Sequence, residues 1–183
     1  MRTCTRCQQS KPLDQFYSVD RSHCTDCERK TARWRMQRQK NKIRTAWRDA
    51  KKQAKKYGVE DTLTLDEVAY IFALSGGRCA YTGKFAVKPT LEHIIPMSRG
   101  GANAAWNVIV VDFAQNYQKQ NTDPSDWFQF NYGYKFESEI VALMAARKGV
   151  TVEEMQAELL ELQRKYSEEW YRKHVTKKAV AGG

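Results

Sequence analysis

The sequence predicts an α+β chain, mostly helical, with a small metal-stabilised module at its front. Three observations carry that class. Two Cys-x-x-Cys pairs open the chain, a basic stretch free of Gly and Pro follows, and two short β-rich runs then flank a glycine-containing loop. The chain has 183 residues, 42 % hydrophobic and 28 % charged, enough for one ordinary domain or two to three small modules. No apolar run approaches the roughly 18 residues a membrane span needs. The first residues, MRTCTRCQQSK, lack the apolar core of a signal peptide, so a cytoplasmic protein without membrane association is expected.

Residues 1–27 hold Cys4-x-x-Cys7 and, after sixteen residues, Cys24-x-x-Cys27. Each pair presents two thiolates from one tight turn, and four thiolates complete a tetrahedral zinc site. In a chain expected to stay in a reducing compartment, metal binding is the first reading and a disulfide or redox pair the second. So short a segment buries little apolar surface, so one structural Zn²⁺ would supply its stability. Leu13, Phe16 and Tyr17 are the candidates for a small core behind it; His23 adjoins a ligand and is placed to compete for the metal, but four cysteines already suffice.

The net charge is +10, and it is concentrated. Residues 28–57 contain thirteen Lys/Arg against two acids, while the rest of the chain is close to neutral. The composition favours helix, with Gly58 as its stop and an apolar seam through Ile43, Trp47, Ala50, Ala54 and Tyr57. A solvated surface helix normally mixes its charges; thirteen cations with so little compensation point to a polyanion. Segment 28–58 is therefore expected to contact phosphates, of nucleic acid first and of an acidic membrane second, through Arg29, Lys30, Arg33, Arg35, Arg38, Lys40, Lys42, Arg44 and Arg48.

Segment 59–122 begins with a helix announced by the capping box Thr64/Glu67 and ended by Ser75-Gly-Gly. Leu91 to Pro96 and Asn107 to Asp112 read as strands around the loop MSRGGANAAW, and from Phe113 a short helix carries Gln115, Asn116 and Lys119. In segment 123–183, aromatics at Phe128, Phe130, Tyr132, Tyr134 and Phe136 alternate as in a strand, to close a core or to stack on bases. Residues 137–148 read as helix. The capping box Thr151/Glu154 opens a longer one, striped by Met155, Leu159, Leu162, Tyr166 and Trp170. The tail TKKAVAGG reads as disordered.

The stretch LEHIIPMSRGGANAAWNVIVVDFAQNYQKQ resembles the HNH endonuclease motif, the ββα-metal fold. It supplies Glu92-His93, Ser98-Arg99-Gly100-Gly101, Asn103, Asn107, Asn116 and Lys119, an H-N-N variant of that pattern. Phage members of the family often carry a similar cysteine arrangement in front. The resemblance implies that His93 is the general base, and that Glu92 and Asn116 bind one divalent ion. Oxygen and amide ligands suit Mg²⁺, or Mn²⁺. Asn107 would hold the loop and orient His93, while Arg99 and Lys119 would grip the phosphate. Neighbouring strand residues point to opposite faces, so twist or a bulge is needed to bring Glu92 and His93 to one site. Cys79-Ala-Tyr-Thr82 retains one cysteine where many relatives have two, so Cys79 is expected to be a buried apolar residue and not a ligand.

The implied activity is metal-dependent hydrolysis of double-stranded DNA to 5′-phosphate and 3′-hydroxyl ends, in a phage-encoded homing or nicking enzyme acting in the bacterial host cytoplasm. The alternatives are a non-catalytic DNA-binding or packaging accessory protein with the same fold, and an RNA-binding zinc protein. The sequence leaves monomer or dimer open.

Overall fold

The computed structural model describes the backbone of residues 1–122, 124–132 and 134–174. The side chains of Phe130, Tyr134, Phe136 and Trp170, and the tail from residue 176, lie outside the described residues. The chain divides into two compact units, Met1–Arg44 and Thr45–Gly183, and the division falls inside one long helix.

In the first unit, strands β1 (Arg2–Thr3) and β2 (Ser10–Lys11) form an antiparallel pair around the turn that carries Cys4 and Cys7. A short 3₁₀ turn at Leu13–Gln15 leads on toward Cys24. Helix α1 (Thr25–Tyr57) then starts one residue after Cys24, with Cys27 in its first turn. The core here is Cys4, Phe16, Cys24 and Cys27, with Cys7 against them. Leu13 and Tyr17 are exposed, which corrects the expectation that they would join Phe16 behind the metal. Along α1, residues 32–42 are exposed on every face, and burial resumes at Ile43. A helix that is polar all round and buries nothing is held by its propensity and its ends, or by a ligand.

In the second unit, helix α2 (Leu65–Leu74) begins at Thr64, whose hydroxyl accepts from the Glu67 N–H while the Glu67 carboxylate accepts from the Thr64 N–H, a complete capping box. Strands β3 (Pro89–His93) and β4 (Val108–Asp112) pair antiparallel in unbroken register, from Pro89 opposite Asp112 to His93 opposite Val108. Helix α3 (Phe113–Lys119) follows directly. Asp112 caps it by accepting from the Ala114 N–H, and its other oxygen accepts from the Lys88 N–H. The order strand, loop, strand, helix is as expected, although the first strand runs two residues earlier and ends at His93.

The C-terminal helices are α4 (Pro124–Asn131), α5 (Tyr134–Lys148) and α6 (Val152–His174). The aromatic run is therefore helical, which corrects the strand expected there. Pro124, Trp127 and Phe128 are buried at a helical spacing, with Pro at the first helical position where its missing N–H costs nothing. Trp127, Phe128, Ile140, Val141, Met144 and Met155 share one core with Ile94, Ile95, Trp106, Ile109 and Val111 of the hairpin. Arg147 reaches from α5 to donate to the Val108 carbonyl at 2.7 Å. The described residues of segments 59–122 and 124–174 thus share one core. Among the described residues no helix is long and apolar enough to cross a membrane.

Candidate active site and metal centre

The metal centre is built by two turns. The Cys4 N–H donates to the Gln9 carbonyl and the Gln8 N–H to the Cys4 carbonyl, with Gln8 in the left-handed region at φ 60°. The Sγ atoms of Cys4, Cys7, Cys24 and Cys27 all lie within 4.8 Å of one another, and Cys7 and Cys24 are 4.0 Å apart. Tetrahedral zinc with Zn–S near 2.3 Å places its sulfurs about 3.8 Å apart, so the four residues fit one zinc ion. None of them is in a disulfide. Burial alone would push the Cys4 thiol up, but backbone N–H donors from Cys7, Cys24 and Arg6 outweigh it and bring it down to about 5. Burial, aided by thiol hydrogen bonds from its three partners, pushes Cys27 up to about 12. Four sulfurs at this spacing cannot all ionise without a cation between them. His23 stands apart from the four and meets the Glu28 carboxylate at 3.3 Å.

The expected phosphate contacts Arg29, Lys30, Arg33, Arg35, Arg38, Lys40, Lys42, Arg44 and Arg48 are all exposed on α1. Of the thirteen cations in segment 28–57, Lys51 makes the one ion pair among the described residues, with Asp61 at 2.9 Å. Arg38 lies over the ring of the exposed Trp34 at 5.3 Å.

In the second unit, His93 ends β3. Its Nε2 lies 2.9 Å from Asn103 Oδ1, and Asn103 Nδ2 donates to Asp61 Oδ1 at 2.8 Å. Burial holds the imidazole below its usual range, against the Asn103 hydrogen bond, with a smaller push the same way from the Lys119 charge. The shift favours the neutral imidazole, the form that takes a proton.

Asn107 is fully buried and makes three bonds to backbone. Its Oδ1 accepts from the Ile95 N–H, and its Nδ2 donates to the carbonyls of Ile95 and Ala102. These bonds hold the loop, and the side chain on the His93 ring is that of Asn103, not the Asn107 expected to orient it. The loop closes tightly because Gly100 adopts φ 87° and because a Cβ on Gly101 would stand 2.1 Å from the Ile95 carbonyl oxygen.

Glu92 and Lys119 depart from expectation. Lys119 is 0 % exposed and Glu92 5 %, and Nζ donates to Glu92 Oε1 at 2.7 Å and to the His93 carbonyl at 3.1 Å. Burial pushes the Glu92 carboxyl up; Lys119 and the nearby Tyr81 hydroxyl pull the other way. With no bulge between the paired residues 92 and 93, the two side chains leave β3 on opposite faces. A hard divalent ion that keeps several waters does not fit a carboxylate enclosed in this way. Asn116 is half-buried, its Nδ2 3.4 Å from the Leu91 carbonyl. The buried Lys119 is not available to grip a phosphate. Arg99 is engaged elsewhere, its guanidinium 4.1 Å over the Tyr166 ring and its Nε donating to the Asn121 carbonyl.

Cys79 is buried in the core with Tyr81. Sequence reasoning missed Asp61, since nothing local marks a carboxylate 42 residues before the loop it meets. Asn103 stood in the quoted motif without a role.

No protein-family model matches the chain, and no curated protein matches it. Among solved structures, the rare-cutting HNH restriction endonuclease PacI, described for its mechanism of DNA perturbation, is weakly similar. The TM-score is 0.34 and the sequence identity 18 %, over 82 % of this chain and 100 % of that one.

Proposed function

We propose that the chain is a DNA endonuclease of the HNH type, a phage-encoded homing or nicking enzyme acting in the host cytoplasm. His93 accepts a proton from water, the resulting hydroxide attacks phosphorus, and the P–O3′ bond breaks. The ends are then 5′-phosphate and 3′-hydroxyl, the 3′ oxygen taking its proton from solvent. The observation that carries this reading is an imidazole at the end of β3, held at Nε2 by Asn103 and backed by a loop clamped at Asn107. The exposed cations of α1 supply a sequence-independent grip on double-stranded DNA. One Zn²⁺ folds the four-cysteine module. Mg²⁺ or Mn²⁺ is a condition to be varied in the assay, because Glu92 in its present pairing offers no open site.

That same pairing favours a second reading, a DNA-binding or packaging accessory protein in which the ββα unit does not turn over. Plasmid cleavage by the purified full chain separates the two, with Mg²⁺, Mn²⁺ or EDTA. The nuclease reading expects nicked or linear product from the wild type, and loss of product in His93→Ala with DNA binding retained. Wild-type protein that binds DNA yet leaves supercoiled plasmid intact under every condition selects the accessory reading.

A further inference from the structure

The geometry points to Asp61 and Asn103 as positioning residues that fix which nitrogen of His93 is the base. This inference rests on the nuclease reading for its consequence, but not for its geometry. Asp61 Oδ2 takes the Lys51 ammonium at 2.9 Å, and its Oδ1 meets the Asn103 amide at 2.8 Å. A carboxylate only accepts, so Asn103 must turn its NH₂ toward Asp61. Its Oδ1 then faces His93, and an amide oxygen also only accepts. Nε2 must therefore carry the proton, which leaves the lone pair on Nδ1. The donors run one way: Lys51 and Asn103 into Asp61, His93 into Asn103.

The backbone keeps this chain in line. Asn103 is 0 % exposed, its N–H donates to the Glu60 carbonyl, and its own carbonyl accepts from the Thr62 and Leu63 N–H groups. Trp47 Nε1 donates to the Leu63 carbonyl at 2.9 Å, tying that segment to α1. The segment before α2 thus grips the loop residue that touches His93, which gives residues 60–63 a purpose no motif assigns them.

Asp61→Asn is the test, since it keeps shape and removes direction. The substituted amide offers either an oxygen or an NH₂, so Asn103 is free to flip and present its own NH₂ to Nε2, moving the proton to Nδ1. Imidazole ¹⁵N shifts of the full-length protein should report a single Nε2–H tautomer in the wild type and loss of that purity in Asp61→Asn. In a cleavage assay kcat should fall by at least ~10-fold with KM little changed; a fully wrong tautomer in a His–Asp pair is worth up to about 10⁴. The double variant Asp61→Asn with Asn103→Asp restores the direction by exchanging the two groups. The amide at position 61 then donates to the carboxylate at position 103, and that carboxylate accepts from Nε2–H. It should recover the tautomer and most of kcat. A wild-type Nδ1–H tautomer, or an Asp61→Asn variant unchanged in both shifts and kcat, overturns the inference. The ¹⁵N shifts need no turnover, so an inactive wild type with Nε2–H defeats the nuclease reading while the relay stands.

Discussion

Lys119→Met should lower the stability of the second unit severely. The ammonium is fully buried, 2.7 Å from a carboxylate whose side chain is 6 % exposed, and it also satisfies the His93 carbonyl. Removing it leaves Glu92 either charged without a counter-ion or forced to take up a proton in the interior. Breaking such a pair from one side costs about 3–5 kcal/mol. At about 2–4 °C per kcal/mol for a chain of this size, the melting temperature should drop by roughly 6–20 °C. Glu92→Gln combined with Lys119→Met removes both charges and leaves Gln a donor and an acceptor for Tyr81, so most of the loss should return. Thermal melts by circular dichroism on the four proteins close a double-mutant cycle. A Lys119→Met protein that melts within about 1 °C of wild type, or a double variant no better than the worse single one, would refute the buried pair and reopen Glu92 as a free ligand.

Native mass spectrometry should find one zinc per chain, lost together with the folded first unit when any of Cys4, Cys7, Cys24 or Cys27 is replaced by Ser. Replacing Arg35, Arg38 and Lys42 together by Ala should weaken binding to every DNA sequence alike and flatten the plot of log K against log salt by about 0.9 for each phosphate those side chains neutralise; an unchanged slope would place the DNA elsewhere. Hydrogen bonds from the Ala114 and Lys88 N–H groups hold the Asp112 carboxyl below its usual range. The stabilisation is thus present above the unfolded carboxylate pKa, about 3.9, and lost as pH falls through the lower folded value. Asp112→Ala should melt earlier than wild type at pH 7, with the gap narrowing toward pH 3.

Local chemistry was legible where one element decides it. Cysteine spacing named the metal cluster, and the capping boxes at Thr64 and Thr151 marked helix starts that the structure keeps, the second with Glu154 bonded back to the Thr151 N–H. The aromatic run was misread because Phe128, Phe130, Tyr132, Tyr134 and Phe136 alternate, which is the strand period. Burial instead follows 124, 127 and 128, and Pro124 after Asp123 was the usable helix signal. Lys119 was given a phosphate by the motif; only the fold brings Glu92 to it. The His93 relay was out of reach for the same reason, since Asp61 and Asn103 meet through a tertiary contact with no periodicity of its own.

The loop between β3 and β4 is held in an unusual way. A connection of this length carrying Gly100 and Gly101 would ordinarily be among the more mobile parts of a small domain. Here two fully buried asparagine side chains hold it, Asn107 to backbone at Ile95 and Ala102, and Asn103 to the His93 ring and the Asp61 carboxylate. A buried amide left without partners costs about 1–3 kcal/mol, while a leucine in its place risks no such penalty. Packing alone therefore gives no reason for polar groups at both positions. The Asn107 bonds hold the chain that follows His93 and the Asn103 amide meets its ring, and a residue that merely fills space has no use for either. The polar interior of this loop, more than any single side chain, is what the proposed role of His93 rests on.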